Sequence, residues 1–105
     1  MRAEDRERLN ELVALHNVDD LWEAVRRCVD LQKTETDPGP WFTMQKVLEE
    51  IGHLFESGPV SAAPWERIRE KLVPALRRVI QSPDSETAGD LARTWARLKQ
   101  EEPVR

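Results

Sequence analysis

Apolar residues recur at intervals of three and four along almost the whole chain, which is the spacing that places them on one face of an α-helix. β-Branched residues are few, tyrosine is absent, and no run alternates apolar and polar residues for long enough to form a strand. The pattern predicts an all-α fold, a single small bundle of about five helices in one domain covering residues 1–105. The predicted helices are residues 3–16, 18–33, 38–57, 62–81 and 83–100.

Prolines and glycines separate the predicted helices. The segment 34–40 contains two prolines and a glycine, and Gly58 with Pro59 ends the third helix. Pro74 lies inside the fourth predicted helix, where a proline removes a backbone donor and its ring clashes with the carbonyl four residues earlier. We therefore expect the fourth helix to be kinked or broken near Pro74.

Composition narrows the class of protein. Hydrophobic residues make up 39% of the chain and charged residues 34%, which is ordinary for a folded helical domain and unlike a disordered one. No apolar run approaches the roughly 18 residues that a membrane span needs, so we expect no membrane partner. Acidic residues interleave with arginines at the N-terminus, so we expect no signal or transit peptide. The single cysteine, Cys28, cannot form an internal disulfide, so we expect a cytoplasmic location. The excess of arginine over lysine, twelve against four, is associated with GC-rich bacterial genomes.

The net charge of −4 is unevenly distributed along the chain. Residues 1–58 carry 7 basic and 13 acidic side chains, whereas residues 59–105 carry 9 basic and 7 acidic ones. A protein that binds nucleic acid without sequence preference is usually more basic than this. Several predicted helices begin with acidic residues and end with basic ones, as the helix dipole favours, so much of the charge pattern is structural.

Glu50 and His53 stand three residues apart in the third predicted helix, the spacing with which carboxylate-bridged di-metal bundles present the ligands of one metal. Such a site also needs a second Glu-x-x-His pair and two further glutamates. The other histidine, His16, has Val13 in the corresponding position. We therefore interpret Glu50 and His53 as a solvent-facing pair and expect no metal site.

Cys28 lies on the apolar stripe of the second predicted helix, where a thiol is usually a small buried apolar group with a raised pKa. Neither histidine can be placed beside it from the sequence, so a Cys–His nucleophile has no support. The chain contains no Gly-rich phosphate loop, no Gly-x-Ser-x-Gly motif and no Cys-x-x-Cys pair. We expect no enzymatic activity and no cofactor.

Basic residues are frequent in the fourth and fifth predicted helices, and they would form one basic face if these helices lie side by side. A small helical subunit of a nucleic-acid-handling complex is therefore the alternative function. Glu66, Glu70 and Asp90 stand among the basic residues, which weakens this hypothesis. The basic face would consist of Arg67, Lys71, Arg77, Arg78, Arg93 and Arg97.

Two interior glycines and four tryptophans bear on packing. Each helix from the second to the fifth carries one tryptophan on its apolar stripe, so we interpret the tryptophans as core anchors. Gly52 and Gly89 lie inside helices, where glycine costs about 1 kcal/mol relative to alanine. We expect at least one of them to sit where a neighbouring helix leaves no room for a side chain.

Phe42 falls well away from the apolar stripe of the third predicted helix, and Trp41 lies at the edge of that stripe. The favoured fate of Phe42 is packing beneath the loop of residues 38–40. The alternative is a position that faces a partner, where aromatic residues are enriched.

The favoured function rests partly on exclusion. The sequence contains no catalytic constellation, no cofactor motif and no membrane span, and its composition is not strongly basic. We expect a non-catalytic helical protein–protein interaction module, such as an adaptor, a regulatory subunit or an immunity-type inhibitor. Its partner would be another protein, and the candidate partner-binding residues are Trp41 and Phe42.

Overall fold

The computed structural model describes residues 2–57 and 62–101, and every regular element in these ranges is an α-helix. Over these residues the predicted all-α class and the predicted number of about five helices are confirmed. The helices are α1 (Ala3–Leu12), α2 (Val18–Thr34), α3 (Gly39–Ser57), α4 (Ala62–Gln81) and α5 (Ser85–Glu101).

The third helix, α3, is central to the arrangement. It packs most extensively against α2 and also contacts α5 and α4, while α4 and α5 pack against each other. The first helix, α1, contacts α2 and α4. The core lies between these helices, and its largest fully buried side chains are Leu9, Leu12, Leu15, Leu21, Trp41, Met44, Leu48, Ile51, Ile68, Leu72, Leu76 and Ile80.

The first helix ends at Leu12, four residues earlier than predicted. Leu15 adopts a left-handed backbone conformation with φ 57°, and its side chain is completely buried. In the predicted first helix Leu15 lies at the flank of the apolar stripe. Here the chain turns after Leu12, and Leu15 enters the core from outside the helix. Burial of the Leu15 side chain therefore stabilises this turn more than continuation of α1 would.

The fourth helix runs through Pro74 without interruption, so the predicted break is wrong, and the predicted kink is not confirmed. A proline deprives the carbonyl four residues earlier, that of Glu70, of its helical partner. Pro74 and Glu70 are both exposed, and carbonyls on the solvent side of a helix can turn outward to water. This placement on the solvent side lets the helix accommodate the proline.

Side-chain caps determine where two helices begin. Asn17 Oδ1 accepts a hydrogen bond from the backbone N–H of Asp20 at 2.8 Å, which starts α2. Asp84 Oδ1 accepts one from the backbone N–H of Thr87 at 2.8 Å. Because Asp84 is the cap, α5 begins at Ser85, two residues later than predicted.

Candidate interaction surface

Phe42 lies in the first turn of α3, and half of its surface, 50%, is exposed. Its backbone N–H donates to the carbonyl of Pro38 at 2.9 Å, so its place on the helix is fixed. The favoured expectation, burial beneath the loop of residues 38–40, is wrong. Among the described residues, the large apolar side chains classed as exposed are Phe42 and Val18, the latter at 38%.

Trp41 is buried, with 1% of its surface exposed, and belongs to the core. It therefore offers no area to a partner in this conformation, and its role as a candidate contact residue is not supported. Successive helical residues are rotated by about 100° about the axis. Because Trp41 is held in the core, the side chain of Phe42 is directed away from it. Trp41 thus positions the exposed ring without touching a partner itself.

Polar side chains follow Phe42 along the outward side of α3. Lys46 Nζ lies 5.3 Å from the centroid of the Phe42 ring, within the range of a cation–π interaction. Lys46 Nζ is also 3.9 Å from Glu49 Oε2. We call Phe42, Lys46 and Glu49 the α3 outer strip. Its residues are spaced by four and three, so they share one side of the helix.

Acidic residues precede the strip in the loop between α2 and α3. Asp37 is exposed, and its Oδ1 accepts a hydrogen bond from the backbone N–H of Gly39 at 3.1 Å, which secures the first turn of α3. Glu35 is half-buried at the end of α2. The exposed ring of Phe42 therefore has carboxylates on its N-terminal side and the ammonium group of Lys46 on its C-terminal side.

The Glu50 and His53 side chains are directed to different neighbours. Glu50 Oε2 accepts a hydrogen bond from Trp95 Nε1 and lies 3.3 Å from Lys99 Nζ, both on α5. His53 Nδ1 is 3.5 Å from Glu56 Oε2, and the His53 ring meets Trp22 edge-on at 6.0 Å between centroids. Within the described ranges, no group of three or more His, Cys, Asp or Glu side chains is placed to hold a metal ion.

The Cys28 thiol is completely buried on α2, as predicted. Burial raises the pKa of the Cys28 thiol to about 12, because the low-dielectric core disfavours the thiolate. A thiol in this state is a poor nucleophile and a poor metal ligand at neutral pH. Cys28 therefore acts as a small apolar residue of the core.

The six basic residues predicted to form one face are all exposed, but they do not all share one side of α4. At about 100° per residue, Arg67, Lys71 and Arg78 lie on one flank of the helix. Arg77 is rotated from these three by about 80–120°. It lines a shallow depression beside Ala14. On α5, Arg93 and Arg97 are exposed, and the guanidinium of Arg93 forms an ion pair with Asp90.

Sequence reasoning missed one residue with a defined role, Arg69. This α4 side chain bonds the turn after α1, with its Nε 3.2 Å from the carbonyl oxygen of Ala14. The contact joins residues 55 apart in the chain. No local motif could have revealed it, because the turn itself was predicted to be helix.

No helix among the described residues is both long and apolar enough to cross a lipid bilayer. Comparison with family models, with curated proteins and with solved structures found no match to this chain.

Proposed function

We propose that this protein is a non-catalytic helical module that binds another protein, and that the partner contacts the start of α3 around Phe42. The observation that carries the proposal is the 50% exposure of the Phe42 ring beside a tryptophan that is fully buried. Aromatic residues are enriched among the side chains that dominate binding energy at interfaces. A partner that covers the ring would remove its exposed apolar surface from water, which favours association.

The charges around Phe42 indicate which kind of partner surface would be complementary to this region. An apolar pocket would receive the ring, a basic side chain would face Asp37, and an acidic one would face Lys46. Charges at the rim of an interface mainly set orientation and association rate, whereas the buried aromatic residue supplies affinity. An adaptor, a regulatory subunit and an immunity-type inhibitor would all act in this way, by covering a surface of the partner. The proposed location is the cytoplasm, supported by the single free cysteine, Cys28.

The experiment compares Phe42 with Val18, the matched exposed apolar residue at the other end of the α2–α3 pair. A photo-crosslinking phenylalanine derivative placed at position 42 in the native cell should capture a defined protein that the same derivative at position 18 does not. With that protein purified, Phe42→Ala should weaken its binding by about 30-fold or more, as expected for a central aromatic contact. Val18→Ala should leave the dissociation constant within about threefold of the original.

Two results would contradict the proposal. One is a captured protein that binds the Phe42→Ala variant as tightly as the original chain. The other is a melting temperature lowered by many degrees in Phe42→Ala, which would assign the ring to the core and not to a surface.

The alternative, a subunit of a nucleic-acid-handling complex, ranks second because Arg77 is separated from Arg67, Lys71 and Arg78 and because Arg93 is paired with Asp90. A mobility-shift assay at low salt addresses it directly. Retention of a labelled duplex that falls steeply with salt, and that is lost in a Lys71→Glu and Arg78→Glu double variant, would favour this alternative.

A further inference from the structure

The side of α3 that carries the α3 outer strip extends as far as His53. This residue lies four positions after Glu49, so the spacing from Phe42 onward is four, three and four. At about 100° per residue, the four side chains fall within an arc of about 60°. Phe42, Lys46 and His53 are exposed and Glu49 is half-buried, so this arc is the solvent side of the helix.

Neighbouring helices border this arc on both sides without covering it. On one side, Gln45 accepts a hydrogen bond from the side chain of Gln32 on α2. On the other side, Glu50 accepts a hydrogen bond from the indole of Trp95 on α5. Helix α3 is therefore the middle helix of a layer formed by α2, α3 and α5, and the arc runs along the middle of the outer face of that layer.

The residues of this arc are arranged symmetrically about one point of the helix. Lys46 and Glu49 have the same midpoint along α3 as Phe42 and His53. A two-fold axis that passes this midpoint at right angles to the helix reverses its direction and exchanges the two members of each pair. In an antiparallel pair of α3 helices, Lys46 of each copy would therefore face Glu49 of the other.

Charge complementarity favours this antiparallel arrangement. A parallel pair in register would place Lys46 against Lys46 and Glu49 against Glu49, whereas the antiparallel pair joins opposite charges twice. Within one chain, Lys46 Nζ lies 3.9 Å from Glu49 Oε2, and the Lys46 side chain is 58% exposed. An exposed ion pair of this kind contributes little to stability, so its exchange for a contact with a second copy costs little.

The same arrangement would cover the exposed phenylalanine. Phe42 of one copy would meet His53 of the other copy. The imidazole of His53 is 66% exposed and lies edge-on to the Trp22 indole of its own chain, at 6.0 Å between centroids. The phenyl ring would therefore join an existing pair of rings, a setting in which aromatic side chains contribute more than their buried area alone.

Two features limit the strength of such a contact. One helix from each copy buries less than the roughly 1,200 Å² at which stable interfaces begin. Glu56 of one copy would also lie opposite Gly39 of the other, whose backbone N–H donates to the Asp37 carboxylate at 3.1 Å, so like charges meet at both ends. We therefore expect a dissociation constant of about 10–100 μM.

We propose that two copies of this chain pair antiparallel through the α3 outer strip and His53, with Lys46 of each copy facing Glu49 of the other. The pairing rests on the proposed function, because the second copy would occupy the surface that we assign to another protein. Since the pairing is weak, it is readily reversed. The pair therefore covers Phe42 until the other protein displaces the second copy.

Sedimentation equilibrium of the full chain tests the pairing, at about 0.15 M salt to screen the net charge. Lys46→Glu alone and Glu49→Lys alone should each weaken self-association by about tenfold or more, because like charges would face each other twice. An equimolar mixture of these two variants should associate about as tightly as the original chain, because opposite charges face each other again. Such rescue would not follow from a folding defect, including loss of the Glu49 bond to Gln45.

Three further variants locate the contact. Phe42→Ala should weaken self-association by about tenfold. Glu56→Gln should strengthen it by about two- to threefold, because it removes the like charge opposite Asp37. Lys71→Glu, on the exposed side of α4, should leave it unchanged.

A crosslink checks the register of the two helices directly. A photo-crosslinking phenylalanine derivative is placed at position 42 of the purified protein, which is then mixed with an isotope-labelled copy. It should attach to the labelled peptide that contains His53.

Three results would overturn the pairing: a chain that stays monomeric up to about 1 mM, self-association that neither charge variant weakens, and crosslinks to a peptide without His53. The proposed function would survive these results if the derivative at position 42 still captures a different protein in the native cell. The proposed function would fail by itself if the chain pairs as described and that capture yields only a second copy.

Discussion

The six-membered ring of the Trp22 indole lies directly against the backbone of Gly52. A methyl group built on Gly52 would come within 2.5 Å of Trp22 Cζ2 and 2.8 Å of Cη2, distances that real side chains do not adopt. The Trp22 side chain of α2 therefore packs against α3 at a position where the present arrangement leaves room only for glycine. The expectation that one interior glycine marks a close approach is confirmed at Gly52.

Replacement of Gly52 by alanine should destabilise the protein by about 1–3 kcal/mol, because the indole must move out of its packed position. Denaturant unfolding measures the change. The matched control is Gly89→Ala, where the added methyl would meet only the flexible end of the Arg93 side chain, at 3.3 Å. That variant should gain up to about 1 kcal/mol from helix propensity. If the Gly52→Ala protein is as stable as the Gly89→Ala protein, the Trp22 indole can move aside without lowering the free energy of unfolding.

Replacement of Pro74 by alanine should stabilise the protein by about 1–3 kcal/mol. The helix is continuous at this point, and an alanine amide would restore the bond to the Glu70 carbonyl that proline lacks. Both residues are exposed, so the change costs no packing. The measurement is the free energy of unfolding, with exposed Lys71→Ala as a control in the same helix. A destabilised Pro74→Ala protein would mean that the rigid ring stabilises α4 more than the missing bond weakens it.

The carboxylate of Glu50 joins α3 to α5 through Trp95 and Lys99. Glu50→Ala should lower the free energy of unfolding by about 1–2 kcal/mol, because the indole N–H of buried Trp95 loses a charged acceptor. The control is Glu56→Ala on the same helix, where the exposed carboxylate lies 3.5 Å from His53 Nδ1, and this variant should cost at most about 0.5 kcal/mol. Equal effects of the two variants would place the Glu50 bond among ordinary surface contacts. Tryptophan fluorescence should change in the first variant and not in the second.

Two measurable predictions follow from the burial of the Cys28 thiol. Alkylation at neutral pH should be slow in the folded protein and rapid in denaturant. Because the pKa is raised to about 12 in the folded state, the unfolded chain releases this proton at a lower pH, near 8.5. Stability should therefore fall as the pH rises between these two values. A Cys28→Ala variant should show a shallower fall, and identical pH profiles for the two proteins would contradict burial of the thiol.

Helix number and the stripes facing the core were predictable because each stripe repeats within a single helix. The burial of Met44, Leu48 and Ile51 follows from their spacing alone. The contact of Trp22 with Gly52 could be predicted only in part. An interior glycine indicates that a neighbouring helix lies close, but it does not indicate which residue of that helix makes the contact.

The failures have a common physical cause, which is that the deciding interaction joins distant parts of the chain. The end of α1 depends on the burial of Leu15 and on Arg69, 55 residues from Ala14. Exposure of Phe42 depends on what the neighbouring loop covers, and periodicity placed it off the stripe without deciding between loop and solvent. The basic residues of α4 were grouped by composition, whereas helical rotation separates Arg77 from Arg78 and Lys71 by about 100–120°.

The pairing of α2 with α3 has a consequence for how the chain folds. These two helices form the most extensive contact in the molecule and are joined by only the four residues 35–38. A short loop makes closure entropically cheap, and folds dominated by contacts between neighbours in sequence form within microseconds to milliseconds. We expect this helical hairpin to assemble first and to provide the surface on which α5 and α4 dock. The attachment of α1 across the strained turn at Leu15 would then be a late event, and its loss the first step of unfolding.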